Sequence, residues 1–357
     1  MMNGEVALPG RVRAGAAAAA DRARLVRIDE SGLDSFAASL DPTPLEPFPE
    51  ERWEGDPDRR AMGVVAWNAV NFGSGWFPHV VKLPGHCGAR TMGARWQQHC
   101  SEHGVPTAGW LSEVTVEQVA AVFRQPIDGE VRGLLDAFTS AWRELGVHLL
   151  EHHDGSALRL VQAVDGSGAA LAAELGALAC WDDRHDLDGL EVPLYKRAQI
   201  VVSHLAGAGV GRFEDLDALT AFADNLVPHV LKVSGVLVVD PALDARIERE
   251  ELLASGERGE VELRAVAVHA VELLVDRLRS AGHDHATAAT VDHRLWQQGQ
   301  DPTVKAKAPP PLPVHVLLTT CSGPVRAPRG CQSSIGSSRH RPCRHAVPCP
   351  RCRDRRP

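Results

Sequence analysis

A glycine-rich turn between two apolar helical stretches constrains the fold of this chain more than any other feature. The stretch occupies residues 194–231, LYKRAQIVVSHLAGAGVGRFEDLDALTAFADNLVPHVL. Apolar residues recur at helical spacing from Ile200 to Leu205 before the turn and from Leu216 to Ala223 after it. Glycines reach positive φ without a steric penalty, and three of them permit the turn: Gly207, Gly209 and Gly211. The pattern predicts a helix, a tight turn and a second helix.

A single carboxylate, Asp224, falls between the second helix of this hairpin and the helix predicted next. Pro228 lies within the first turn of that next helix, where proline is well tolerated. A carboxylate at such a junction can cap the following helix through its backbone amides. It can also take part in catalysis, and the residues by themselves leave both interpretations open.

The motif YKRAQI at residues 195–200, the glycine turn, and FAD at residues 222–224 followed by Val227-Pro228 together resemble the queuosine salvage family. The resemblance covers residues 25–301. Members of this family hydrolyse queuosine 5′-monophosphate to queuine and ribose 5-phosphate. They are helical relatives of the helix-hairpin-helix DNA glycosylases, which likewise place a lysine and an aspartate around a hairpin. Many members have Tyr-Arg after FAD, where this chain has Asn225-Leu226.

The resemblance implies a mainly α fold: one large helical domain similar to the helix-hairpin-helix DNA glycosylases, with a short β-hairpin before residue 195. Gly189 supports the turn of that hairpin. We place the domain at residues 25–302, after a disordered N-terminal segment at residues 1–24. Further residues match family motifs, namely Asn68 and Asn71-Phe72, then Glu260, Glu262 and Arg264, then Asp292, Trp296 and Asp301.

The reaction that the family catalyses requires a fixed anion. Hydrolysis of an N-glycosidic bond passes through an oxocarbenium-like state, which a carboxylate beneath the ribose C1′ stabilises or attacks. The resemblance assigns this catalytic part to Asp224, as nucleophile or electrostatic stabiliser. It assigns Lys196, across the hairpin, the part of orienting Asp224 or contacting the phosphate.

The substrate-binding residues implied by the resemblance are Phe222, Asp292, Trp296, Asp301, Asn71 and Trp76. Acidic groups suit the cationic aminomethyl group and the diol of queuine, and aromatic faces suit its flat ring. Structural interpretations compete with each assignment. Phe222, Trp296 and Trp76 are equally typical of core residues, and Asp292 of a solvated helix face.

Charge argues against long nucleic acids as the direct partner. The formal net charge is −8, and the 55 residues from 303 onward carry 11 Lys and Arg against one acid, so the preceding part is strongly acidic. Nucleic-acid binding depends on neutralising phosphates with basic side chains. We therefore expect a small-molecule nucleotide substrate, queuosine 5′-monophosphate. No apolar run approaches the length of a membrane span, so we expect no membrane partner.

Cysteine usage indicates a reduced, cytoplasmic protein, because the eight cysteines include only three before residue 303, namely Cys87, Cys100 and Cys180. We expect neither a cofactor nor a metal. The adjacent pair His152-His153 lacks further ligands at helical spacing and is typical of a polar surface. On one helix, Glu260 and Arg264 form an i,i+4 ion pair stabilising by a few tenths of a kcal/mol. We interpret Arg197 as a surface or structural ion pair.

Residues 303–357 differ in composition from the rest of the chain. They lack Tyr and Phe, are dense in Pro, Arg and Cys, and show no helical period. Residues 308–319 can be encoded so that reading one base later yields a basic His/Arg run, two tyrosines and a stop, which is how the family typically ends. Our hypothesis is that a frameshift after Lys307 produced a disordered tail, which sequencing the gene across that codon tests. The alternatives are a Pro-rich disordered tail, or a zinc site formed by Cys343, Cys349 and Cys352 with His340 and His345.

Three functions compete at this point. The first is an enzyme, a nucleotide N-glycosidase that salvages queuine. The second is a DNA or RNA base-excision glycosylase on the same scaffold, which would normally show a basic face. The third is a non-catalytic protein that binds the modified nucleotide.

Overall fold

The computed structural model describes residues 7–43, 53–222, 224–249, 251, 253–301 and 304. Within these residues the helices are α1 (Leu8–Arg22), α2 (Glu30–Ser39), α3 (Pro57–Ala69), α4 (Gly88–His103), α5 (Ala108–Glu113), α6 (Val116–Phe123), α7 (Arg132–His152), α8 (Ala157–Gln162), α9 (Gly168–Gly176), α10 (Lys196–Gly207), α11 (Leu226–Val233), α12 (Pro241–Glu248), α13 (Arg258–Ser280) and α14 (Ala288–Gln300). The strands are β1 (Val26–Ile28), β2 (Arg184–Leu187), β3 (Leu190–Pro193) and β4 (Leu237–Val239). The expected mainly α fold is confirmed.

The strands form two antiparallel pairs, β1 with β4 and β2 with β3. The β2–β3 pair is the hairpin expected before residue 195. Its turn consists of Asp188 and Gly189, which have φ values of 52° and 79°. Two consecutive residues with positive φ make the turn whose twist matches that of the flanking strands, and Asp-Gly is a favoured sequence for it. The hairpin leads directly into α10.

Helix α13 is the central element of the fold. Its residues are apolar around most of the helix circumference, and such a helix is stable only when neighbours cover it. It packs against α1, α2, β1, α11 and α14. The 23 residues of α13 therefore connect the N-terminal helices to the elements that follow the hairpin.

A cluster of aromatic side chains fixes α3, α4 and α7 against one another. The indole N–H of Trp142 donates to the Ala66 carbonyl at 2.8 Å, and that of Trp96 donates to the Gly63 carbonyl at 3.2 Å. The two indoles are 5.2 Å apart. These bonds satisfy the polar edges of two fully buried rings, so that the end of α3 is held rigidly where it meets α10.

The expectation of disorder at residues 1–24 is wrong for the residues that form α1. Alanine has the highest helix propensity, and the alanine run at residues 16–20 continues a helix. Its buried face consists of Leu8, Val12, Ala16 and Ala19, which pack on α13, β3 and α9. Short side chains give the segment the low hydrophobicity of a disordered one, yet they allow close approach to neighbouring helices.

The helix expected at residues 216–223 is also wrong for the residues described there. Only Leu216–Ala218 form a short 3-10 turn. The backbone amides that a helix would pair internally are bonded to distant side chains instead: Thr220 N–H donates to Gln199 at 3.0 Å, and Phe222 N–H to Asp292 at 2.8 Å. Tertiary hydrogen bonds therefore outweigh the helical spacing of the apolar residues.

The predicted frameshifted tail, residues 303–357, lies outside the described residues apart from Val304. No helix in the described part of the chain is long and apolar enough to cross a membrane.

The packing of α1 predicts that Leu8→Ala lowers the free energy of unfolding by about 2–5 kcal/mol, since it removes a buried side chain next to Gly176. Urea unfolding followed by circular dichroism measures this. Arg22→Ala, at an exposed position of the same helix, is the control and should change the value by less than about 0.5 kcal/mol. Equal stability of Leu8→Ala and the unmodified protein would show that α1 does not pack on the core.

Candidate active site

A cavity of about 330 Å³ runs along α10, from Lys196 to Gly207. It is bounded by the loop after α3, the first turns of α4, helix α10, the segment before α11, and α14. Six of the eight residues that the sequence pointed to line it: Asn71, Lys196, Phe222, Asp224, Asp292 and Trp296.

Asp224 is nearly buried, with 9% of its surface exposed. Its Oδ1 accepts the backbone N–H groups of Leu226 at 2.8 Å and Val227 at 2.9 Å, which are the first amides of α11. Its Oδ2 has no hydrogen-bond partner among the described residues. Burial raises the pKa of Asp224, while Lys196 and the two amide bonds oppose the rise. The carboxylate therefore caps a helix with one oxygen and leaves the other for the cavity.

Lys196 begins α10, and its charge interacts with both acids of the cavity, Asp224 and Asp292. Its Nζ donates to the carbonyl of Asn71 at 3.0 Å, so the ammonium is held at the end of the α3 loop. Burial lowers the pKa of Lys196 to about 8, although Asp224 and Asp292 oppose the decrease. The group is mainly protonated at neutral pH and loses its charge in mildly alkaline solution.

Asp292 lies on α14 and is also buried. Its Oδ1 accepts the backbone N–H of Phe222 at 2.8 Å, and this bond joins α14 to the segment that carries Asp224. Burial, followed by the charge of Asp224, raises the pKa of Asp292 well above its ordinary value. Two carboxyl groups with different environments thus share one cavity, and Asp292 retains its proton more readily.

Aromatic faces cover much of the remaining cavity wall: Trp67, Phe72, Phe77, Phe222 and Trp296. Flat apolar surfaces together with a few polar groups are typical of sites that bind heterocyclic ligands. The cavity can therefore hold a planar base next to a charged group.

The start of α10 is fixed by a buried ion-pair network. The guanidinium of Arg264 donates to both oxygens of Asp183, at 2.7 and 3.0 Å, and to Glu260 Oε1 at 2.8 Å. The same Asp183 accepts the backbone N–H of Lys196 at 3.0 Å. Arg264 holds the pKa of Asp183 well below its usual range in spite of burial. The i,i+4 ion pair between Glu260 and Arg264 that the sequence indicated is present. Because both side chains are fully buried, the few tenths of a kcal/mol typical of an exposed pair do not apply to it.

Of the two interpretations of Arg197, a surface or a structural ion pair, its burial contradicts the surface one. Arg197 is 2% exposed, its Nη1 donates to the Ala69 carbonyl at 2.6 Å, and its guanidinium lies 4.6 Å from the centre of the Phe72 ring. Burial lowers its pKa to about 10, so it remains charged at neutral pH. Arg197 therefore ties the end of α3 to the start of α10.

His204 lines the cavity and was missed from the sequence. The side-chain amide of Asn68 donates to the Val64 carbonyl at 2.9 Å and lies 3.2 Å from His204 Nδ1. Because this amide nitrogen is a donor, Nδ1 accepts and the proton of the neutral ring is on Nε2. Burial lowers the pKa of His204 to about 4, which keeps the ring neutral. Asn68 belongs to a recognised motif, but nothing in the spacing indicated its pairing with His204.

The structure does not bring Trp76 and Asp301 to the cavity lining. The Trp76 ring lies beside Gly133 at the start of α7, partly buried against the core, which agrees with the competing structural interpretation. Asp301 is exposed at the C-terminal end of α14, nine residues after Asp292. Nine residues at 100° each place two helical side chains on opposite faces. Both residues therefore lie outside the cavity lining, and their substrate-binding roles stay predictions.

Comparison with known proteins identifies the family of the chain. Residues 91–319 match the model of a family described as queuosine salvage protein. The chain is 35% identical over 294 residues to the queuosine 5′-phosphate N-glycosylase/hydrolase of Sphaerobacter thermophilus, covering 78% of this chain and 89% of that protein. It is 28% identical over 312 residues to the protein of the same name from Mus musculus, covering 79% and 90%.

The chain belongs to the queuosine salvage protein family. The resemblance inferred from YKRAQI and FAD is thereby confirmed. The shared length places α10, the segment before α11 and α14 in the part of the chain that the family model matches. The roles of individual cavity residues remain predictions.

The buried network predicts that Arg264→Leu lowers the free energy of unfolding by about 3–5 kcal/mol, since it leaves Asp183 and Glu260 as uncompensated buried charges. Urea unfolding measures the change. A matched control is Arg132→Leu, which removes an exposed i,i+4 pair with Asp136 and should cost less than about 0.5 kcal/mol. Similar effects of the two substitutions would contradict the role given to the network.

Proposed function

We propose that this protein hydrolyses the N-glycosidic bond of queuosine 5′-monophosphate and releases queuine and ribose 5-phosphate. The observation that carries the proposal is the placement of Asp224 and Asp292 with Lys196 in one cavity lined by aromatic rings. Membership of a family whose named relatives are queuosine 5′-phosphate N-glycosylase/hydrolases supports the choice of substrate.

Asp224 acts on the sugar in this proposal. The bond between C1′ and the base nitrogen breaks with its electron pair on the base, and positive charge develops at C1′. A carboxylate in a cavity of low dielectric stabilises this charge far better than water does, or it forms a bond to C1′. Water adds its oxygen to C1′ and its proton ends on the departing base. The two α11 amides hold Asp224 in position, so little reorganisation accompanies the reaction.

Lys196 keeps Asp224 ionised and offers a cation to the substrate. Burial alone would favour a protonated Asp224, and the charge of Lys196 opposes this. The backbone carbonyl of Asn71 fixes the ammonium from the opposite side. Its remaining N–H groups are available to the ribose or to the 5′-phosphate.

Asp292, Phe222 and Trp296 recognise the base in this proposal. Burial raises the pKa of Asp292, and the cationic aminomethyl group of queuine would restore the ionised, accepting carboxylate, since a nearby cation favours the charged form. A salt bridge of this kind forms only with the modified base, because guanine lacks the cationic aminomethyl group. Phe222 and Trp296 contribute the faces against which the ring packs.

The substrate in this proposal is a free nucleotide in the cytoplasm. A cavity of about 330 Å³ accommodates a single nucleotide, and the acidic charge of residues 1–302 disfavours a polynucleotide.

Incubation with queuosine 5′-monophosphate and, separately, with lesion-bearing duplex DNA distinguishes the competing functions. Release of queuine from the monophosphate alone supports the proposal. Loss of a base from the duplex supports a base-excision glycosylase, and binding without turnover supports a nucleotide-binding protein.

We expect Asp224→Asn to reduce kcat by at least about 10³-fold, while the substrate still binds, because the amide preserves shape but removes the negative charge. Queuine release measured by chromatography gives kcat, and calorimetry gives the Kd. Asp217→Asn, at an exposed position seven residues earlier in the sequence, is the control and should leave both unchanged. Normal turnover of Asp224→Asn would remove this residue from the mechanism.

We also expect kcat/KM to decrease as the pH rises through about 8, where Lys196 loses its proton. Its pKa in the folded protein is lowered from 10.5, so the charged form is present below pH 8 and lost above it. In Lys196→Arg the decrease should move to higher pH, since a guanidinium stays protonated. A pH profile of kcat/KM for both proteins tests this, and an unmoved alkaline limb would assign it to another group.

A further inference from the structure

Two histidines and a glutamate converge at the end of α7, outside the cavity lining. Nε2 of His148 lies 3.1 Å from Glu174 Oε1, and Nε2 of His153 lies 2.6 Å from the same oxygen. The three atoms all lie within 4.8 Å of one another. We propose that His148, His153 and Glu174 form a binding site for a divalent transition-metal ion of the zinc type.

The local backbone explains how two histidines five residues apart reach one point. On an ideal helix their side chains would differ by about 140° in direction. Helix α7 ends at His152, and His153 departs from helical geometry, with φ −133° and ψ 22°. The chain then reverses at Asp154 and Gly155, which have positive φ. This departure turns the imidazole of His153 toward that of His148, with ring centres 5.3 Å apart.

The donor set fits zinc. Two imidazole nitrogens and one carboxylate oxygen, with water in the fourth position, make a common tetrahedral arrangement for this ion. Bond lengths near 2.0–2.2 Å place tetrahedral donors about 3.3–3.6 Å from each other, so only small side-chain movements are needed. On binding, each imidazole uses its Nε2 lone pair and keeps its proton on Nδ1.

The surroundings also suit an ion. The side chains of His148 and His153 are 12% and 7% exposed, which limits competition from water, whereas Glu174 is 28% exposed and leaves a path for entry. The sequence did not indicate the site, because Glu174 is 21 residues from His153 and on another helix.

A bound ion would cross-link the end of α7 to α9. Since α9 packs against α10, the site is connected through α9 to the helix that begins with Lys196. Its effect is structural, and the inference is independent of the proposed reaction.

The test uses the full-length protein after dialysis against a chelator. Zn²⁺ is titrated by calorimetry, Tm is measured with and without Zn²⁺, and Co²⁺ serves as a spectroscopic probe of the ligands. We expect one Zn²⁺ ion that raises Tm, bound at least tenfold more weakly by His153→Gln and by Glu174→Gln. His152→Gln, at the adjacent exposed histidine, is the matched control and should bind as the unmodified protein does.

The cysteines of the tail need their own control, because Cys349 and Cys352 have zinc-ligand spacing. The double variant Cys349→Ser/Cys352→Ser should keep the Tm increase and the Co²⁺ spectrum of nitrogen and oxygen ligands. Circular dichroism checks that each variant is folded. Failure to take up Zn²⁺, undiminished affinity of Glu174→Gln, or loss of binding only in the cysteine variant would each overturn the proposal.

Discussion

The buried guanidinium of Arg264 is the interaction on which the rest of the site depends. It joins Asp183, in the segment before the β-hairpin, to Glu260 on its own helix. Asp183 in turn accepts the amide of Lys196, and its carbonyl accepts the amide of Leu194. An unpaired charge in such surroundings is destabilised by several kcal/mol, so these groups must remain together. The position of α10, and hence of the Lys196 ammonium, follows from the central helix α13.

The two acids of the cavity, Asp224 and Asp292, each combine a structural role with a chemical one. Asp224 caps α11, and Asp292 binds the amide of Phe222, so each uses one oxygen to position the backbone between α10 and α11. Their mutual repulsion and burial favour protonation, while Lys196 favours ionisation. The two interpretations that the sequence left open for Asp224, helix cap and catalytic group, are therefore compatible. One oxygen serves the helix, and the other is available to a ligand.

Much of the fold could be predicted from local patterns. The helix at Lys196, the hairpin with Gly189 and the long helix around Glu260 agree with the structure, because helical spacing and turn residues act over a few positions. The same patterns misled at residues 216–223, where Gln199 and Asp292 bind the backbone amides. They also misled at α1, whose short side chains are stabilised only by the elements packed on them. His204 was missed because its partner, Asn68, is 136 residues away.

By itself the sequence determined the family, through YKRAQI and FAD, and the types of group available for catalysis. Both motifs are short and contiguous, so they can be recognised in the sequence without the structure. Tertiary structure alone decided which candidates share a cavity: it brought Asp292 to Asp224 and left Asp301, on the same helix segment, in solvent. It also decided that Arg264 and Arg197 are buried and that a distant glutamate meets two histidines. The reason is that burial, electrostatic coupling and ligand geometry depend on distances across the packed core, which residue spacing along the chain does not specify.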